Sequence, residues 1–304
     1  NRSITLSGNS DLQPDMVWLK QRSGSENHNL YDSVRGAGKR IIPNLANAES
    51  TTNELTAFNT DGFSLADGDE VNKSSSTYVS WNWKKQAGVF DIQTYSGASN
   101  TRNISHNLAS VPKAMIFKRF DEGAWIVYHA DAGGPNKYLV LNTTAAVDTA
   151  TTLFNNTVPT SSVFSVGNTN STNGSSIDYV VYLIGNKQGV SRCGSYTGNG
   201  NADGTYVYLG FKPALVIYKN ITNAREWILL DNKRLGYNPN NNSLFPNNSD
   251  TDADGSAISA DLLSNGFKLR TTSEHDNESG NTFIYIAFAE ESFVSSGGVP
   301  ATAR

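Results

Sequence analysis

Three stretches of this chain are variants of one another, and that repetition limits the possible fold more than any single motif does. "QPDMVWLK" (13–20), "VPKAMIFK" (111–118) and "KPALVIYK" (212–219) each carry a proline, an apolar run and a closing lysine. Pro14, Pro112 and Pro213 are spaced by roughly 100 residues, so each repeat is the size of a small domain. The register continues downstream. "NLYD", "IVYH" and "ILLD" end at Asp32, His129 and Asp231, and "IIPN", "LVLN" and "LFPN" follow. Then come "DGFSL", "SSVFSV" and "NGFKL", and each copy closes on an aromatic segment: "YVSWNW", "YVVYLI" or "FIYIAF". Copies two and three share a leader, "TYSG" and "SYTG". Copy one has only "TLSG" close before its proline, which predicts that it lacks the hairpin strand supplied elsewhere by "NISHNL" and "TYVYLG". The copies divide at 1–89, 90–190 and 191–304, the last including a C-terminal tail.

Every repeated segment is short, rich in β-branched and aromatic residues, and bounded by clusters of Gly, Asn, Asp and Ser, which is the pattern of an all-β chain. In "YVSWNW" the alternation sets Val79, Trp81 and Trp83 on one face. Abundant Asn, Ser and Thr compete with helical hydrogen bonds and suit turns. No stretch sustains a helical period, although "AESTTNELTAF" and "ADLLS" are candidates for a turn or two. The predicted fold is therefore all-β: three tandem β-sandwich, jelly-roll-like repeats of about 100 residues. Packing about a pseudo-threefold axis is compatible with the even spacing.

Repetition also filters candidate sites, because three different loops seldom share one ligand. Trp125 and Trp227 precede His129 and Asp231 by four residues, with His28 at the matching place in copy one; they read as core rather than as sugar-stacking rings. Trp81 and Trp83, aligned with Tyr182 and Ile184 and with Ile286 and Phe288, are core as well. Lys20, Lys118 and Lys219 are expected to pair with recurring acids or to snorkel over a sheet edge. Cys193, the only cysteine, permits no intrachain disulfide and reads as a small buried residue. His28, His106, His129 and His275 have no zinc-ligand spacing. There is no G-x-S-x-G elbow, P-loop or G-x-G-x-x-G, so no catalytic residue is assigned. The acid pairs Asp121/Glu122 and Glu290/Glu291 read as solvated turn acids rather than a glycosidase pair. A net charge of −4 with scattered basic residues speaks against nucleic acid, and "YVVYLIG" is too short for membrane insertion by a helix.

What the copies do not share is the long connection of copy three, "RLGYNPNNNSLFPNNSDTDADGSA". Its composition predicts an exposed loop over 236–256, where a partner-contacting surface diversifies at little cost to stability. Tyr237, Asn240, Asn241, Asn242, Asn247 and Asn248 are the candidate partner-binding residues. Within it, Asp250, Asp252, Asp254 and Gly255 match the opening of a calcium loop, and Asp261 falls at its twelfth position. The flanking strand-like segments exclude an EF-hand. Calcium is the one cofactor the residues suggest, with a solvated acidic loop as the alternative.

The proline–lysine strands, "LYDSVRG", "AES", "DGFSL" and "YVSWNWK", together with "GSYTGNG", "SNGFKLR", "AFAEESF" and the tail "GVPATAR", resemble a repeat family of virion proteins from marine tailed bacteriophages. The resemblance covers essentially the whole chain. It implies a non-enzymatic phage structural protein, a tail fibre, spike or appendage module assembled in the host cytoplasm and carried in the virion. Other virion proteins are then its expected partners, and polar, Asn-rich loops on a rigid β scaffold, suited to hydrogen-bonding sugar hydroxyls, point to a host-surface glycan or receptor as well. The alternatives are a purely structural or capsid-decoration protein and a polysaccharide depolymerase.

Overall fold

The computed structural model describes residues 1–6, 11–252, 255 and 257–290. The fold is all-β, built of antiparallel sheets packed as sandwiches. The first copy contains β1 (Arg2–Ile4), β2 (Met16–Gln21), β3 (Asn29–Asp32), β4 (Lys39–Arg40) and β5 (Ser50–Thr51). It continues with β6 (Leu55–Asn59), β7 (Gly62–Leu65), the short helix α1 (Asp69–Asn72) and β8 (Tyr78–Trp83). The second contains β9 (Phe90–Ser96), β10 (Arg102–Ser105), β11 (Ala114–Arg119) and β12 (Ile126–His129). After these come β13 (Lys137–Val140), β14 (Asp148–Thr149), β15 (Val163–Val166) and β16 (Asp178–Ile184). The third contains β17 (Ser191–Thr197), β18 (Tyr206–Tyr208), β19 (Pro213–Asn220) and β20 (Trp227–Asp231). It ends with β21 (Ala260–Leu263), β22 (Gly266–Leu269) and β23 (Thr282–Ala289).

Pairing among these strands stays within residues 2–65 and 16–83, 90–184, or 191–289. In each copy the proline–lysine strand lies between two neighbours: β3-β2-β8, β12-β11-β16 and β20-β19-β23. The registers coincide. Met16 faces both Asp32 and Trp83, Ala114 faces His129 and Ile184, and Leu215 faces Asp231 and Phe288. A smaller sheet covers one side of each main sheet: β1-β7-β6, β10-β15 and β18-β22-β21.

The proline–lysine strands are almost continuously apolar because both of their faces are buried, which a half-solvated sheet strand would not tolerate. One face fills a local core against the small sheet. Val17 and Leu19 meet Leu55 and Phe63; Met115 and Phe117 meet Phe164; Val216 and Tyr218 meet Val207 and Phe267. The opposite faces, Met16 and Trp18, Ala114 and Ile116, Leu215 and Ile217, join one core common to all three copies. Trp81, Trp83, Tyr182, Ile184 and Ile286 belong to it, as the repeat register predicts. An apolar void of only about 30 Å³ remains at its centre.

The copies interlock in a cycle. The Trp125 indole donates to the carbonyls of Ile42 and Leu45 in copy one, and the Trp227 indole to that of Val140 in copy two. His28, at the matching place, meets the Phe245 carbonyl of copy three through Nε2. Backbone bonds repeat the pattern: Glu49 N–H to Phe120, Val147 N–H to Ile221, Asp252 N–H to Arg22. So do the recurring polar ends, where the Tyr182 hydroxyl donates to Asp32, His129 bonds the Tyr285 carbonyl, and the Trp81 indole donates to Asp231. Copy one thus contacts two, two contacts three, and three contacts one.

Three sequence expectations change. Copy one does have the hairpin strand: Ile4 faces Phe63 as Ile104 faces Phe164, so Arg2–Ile4 fills that place. What its main sheet lacks, against the other two, is the outer strand represented by β9 and β17. "AESTTNELTAF" and "ADLLS" form strands rather than helical turns, because sheet pairing outweighs weak local helix preference. Finally, Lys20, Lys118 and Lys219 do not snorkel, and among the described residues they form no ion pair with an acid; they are fully buried and donate to carbonyls.

Candidate functional site

The sequence places its candidate site in the copy-three connection, and the structure divides that connection into exposed and buried parts. Gly236 to Pro239 stand out, with Tyr237 69% exposed. Beyond them the chain turns inward. The Asn238 side chain bonds both backbone groups of Leu262, and Asn240 pairs with Ala260, so the loop extends the small sheet beside β21. Leu244 is fully buried in the central core and pairs with Leu229. The expectation of an exposed loop over 236–256 is thus corrected for its middle. Asparagine-rich backbone needs hydrogen-bond partners when buried, and here side-chain amides and neighbouring strands supply them.

The candidate partner-binding residues separate accordingly. Asn240 is buried and donates to the Asp231 carbonyl. Asn247 accepts the Trp227 amide N–H and donates to Glu226. That role recurs: Asn44 accepts the His28 amide and Asn142 the Trp125 amide. Asn247 is therefore part of the repeated scaffold, as the "LFPN" pattern would have indicated. Asn248 accepts the Asp250 amide, and Asn241 and Asn242 are partly buried. Only Tyr237 among the six projects freely.

The acidic stretch is likewise divided. Asp252 sits where copy one has Glu49, and like Glu49 it accepts from a buried arginine. Arg234 bonds Asp231 at 2.6 Å and Asp252 at 2.5 Å; Arg35 bonds Asp32 at 2.6 Å and Glu49 at 3.0 Å. Asp252 also takes Arg22 of copy one at 2.8 Å. Two guanidinium groups neutralise this carboxylate, which is a poor arrangement for a calcium ligand. Asp261 lies on β21 and pairs with Arg270 at 2.5 Å. Asp250 is exposed, and Asp254 lies outside the described residues, as does Glu291. Among the described residues no three His, Cys, Asp or Glu side chains converge on a point that would hold a metal.

Sequence reading missed the arginines. "DSVR" and "DNKR" share an Asp-x-x-Arg spacing, visible once copies one and three are aligned, while copy two has "HADA" instead. The Asp side chain caps the turn's amides at Val34 and Arg35, and at Lys233 and Arg234, and holds the guanidinium that braces the seam. A second recurring device is Asn72, Asn173 and Asn277, whose amides donate to the carbonyls of Ala66, Gly167 and Thr271, each six residues upstream.

Several buried groups have displaced ionisation. Burial lowers Lys20 and Lys118 to about 8 and Lys219 to about 7, and lowers His28 to about 3 and His129 to about 4. It raises Asp276 to about 7 against the opposing bonds from Thr271 and Ser259, and pushes the Cys193 thiol up. These groups lie in separate parts of the seams and cores, and their partners are backbone atoms or neighbouring side chains. Their arrangement does the work of fastening strands together. Among the described residues no helix is long and apolar enough to cross a membrane.

The profile of one protein family, described as Domain of unknown function (DUF7483), matches residues 2–292, and the chain belongs to that family. No curated protein and no solved structure matches it.

Proposed function

For a member of a family whose function is unknown, we propose the role of a non-enzymatic structural module of a phage particle, an appendage component that meets a host-surface glycan. The phage assignment rests on the sequence resemblance, and other virion proteins are its expected structural partners. The observation that carries the mechanical part is the cyclic seam. Three sandwiches share one core and grip each other through fully buried indole and lysine donors, which makes a rigid body. One chain then supplies the threefold arrangement that fibres obtain by association, and surface residues of a single copy are free to diversify for contact. Imaging of the particle with this chain labelled tests the location. Density at a tail appendage supports the proposal; a location outside the particle removes it. Light scattering of the isolated chain is expected to give a monomer, and an obligate homotrimer would remove the single-chain reading.

A further inference from the structure

We propose that a cleft of copy three between the turn 185–191 and strand β18 binds an acidic saccharide, with Tyr208 as its stacking surface; this rests on the reading of the protein as a glycan-contacting module. The cleft encloses about 290 Å³ beside Lys187, Gln188, Arg192 and Tyr208. Val207 points into the local core, so its neighbours on β18, Tyr206 and Tyr208, point outward, 43% and 56% exposed. Outward tyrosine rings on a sheet offer an apolar face to the C–H side of a sugar ring and a hydroxyl to its rim.

The walls are set by the fold. Asn186 bonds both the N–H and the carbonyl of Cys193, at 2.7 and 3.2 Å, and Lys187 and Ser191 exchange backbone bonds. These contacts close a tight turn that passes through Gly189 at φ +73 and holds Lys187 and Gln188 outward. The Arg192 guanidinium lies 5.9 Å from the centre of the Tyr208 ring, where the π face favours a cation. Lys187 and Arg192 thus line the cleft, and among the described residues no carboxylate does. Two cations and an exposed tyrosine ring, with Arg192 against one face and the other left for stacking, suit a sugar bearing a carboxylate or sulfate, while Gln188 adds an amide group for hydroxyls.

Comparison between copies separates this site from the scaffold. Strand registers place Asp91 of copy two where copy three has Arg192, and Asn103 and Ser105 where it has Tyr206 and Tyr208. Gln86 occupies the place of Lys187. Asp91 is turned wholly to internal use, accepting from Asn107 and Gln93, whereas Arg192 bonds the Tyr285 side chain and also lines the cleft. Among the described residues copy one has no strand corresponding to β17. Lys187, Arg192 and Tyr208 are therefore particular to copy three, unlike Asn247 and Asp252, which restate scaffold roles.

Calorimetric titration with a galacturonic acid tetramer, a sulfated galactose tetramer and a neutral galactose tetramer tests this. At least one acidic tetramer is expected to bind, more weakly as salt rises, and the neutral one far less well. Tyr208→Ala and Lys187→Gln, both exposed, are each expected to weaken binding about tenfold, with melting unchanged. If the acidic sugar binds but Tyr208→Ala binds it equally well, or if Tyr237→Ala alone abolishes binding, the cleft assignment is overturned and the glycan-contact reading stands. If neither these tetramers nor a host-glycan array binds the parent, both are overturned.

Discussion

Trp125, Trp227 and His28 share one position, and each spends its ring nitrogen on a carbonyl of the preceding copy in the cycle. A deletion there leaves a cavity and an unpaired carbonyl together. Trp125→Ala and Trp227→Ala are each expected to cost about 3–5 kcal/mol, measured by urea denaturation; a loss below about 1 kcal/mol would mean that the indoles are not core. Asp276 gives a pH signature. Its folded carboxyl titrates near 7, well above the ordinary 3.8, so between those values the folded chain keeps a proton that the unfolded chain has lost. Its contribution is full below about 4 and falls as pH rises towards 7. His28 and His129, lowered by burial, act in the opposite direction, so the informative quantity is the difference between parent and Asp276→Asn. That difference in denaturation midpoint should change steadily between pH 4 and 7, and parallel curves would contradict it. The core aromatics were legible because they recur at fixed register. The depth of Lys20, Lys118 and Lys219 was not, since a lysine closing an apolar strand usually reaches solvent; here Lys118 and Lys219 reach carbonyls of a neighbouring copy, Ala46 and Thr144, and Lys20 those of Gln21 and Gly24 in its own.

At the scale of elements, the closing strands and the proline–lysine strands were readable from alternation and apolar runs, and the copy-three connection was readable as an elaboration. Its burial was not. Asn240, Asn247 and Leu244 are drawn inward by strands distant in sequence, and composition alone carries no such information. Asp252 shows the same limit, because its acidic neighbours suggest a cation while its place in the repeat, opposite Arg234 and Arg22, fixes it as a clasp. Asp252→Asn is expected to cost about 1–3 kcal/mol by weakening charge-assisted bonds to a buried guanidinium. The loss should be the same with calcium and with chelator. A melting temperature that rises with calcium in the parent and not in the variant would return the loop to metal binding.

For the molecule as a whole, the repeat length pointed to three tandem sandwiches with room for packing about a common axis, and a core shared by all three copies joins them. Each main sheet buries one face in its own core and the other in a core common to all copies, so no copy can unfold without exposing apolar surface on the other two. Units coupled in this way melt together, whereas beads on a string melt separately. Differential scanning calorimetry of the full chain tests that claim most directly. The structure predicts one transition whose calorimetric enthalpy equals the van't Hoff enthalpy; two or three resolved transitions, or a calorimetric enthalpy about threefold the van't Hoff value, would contradict it.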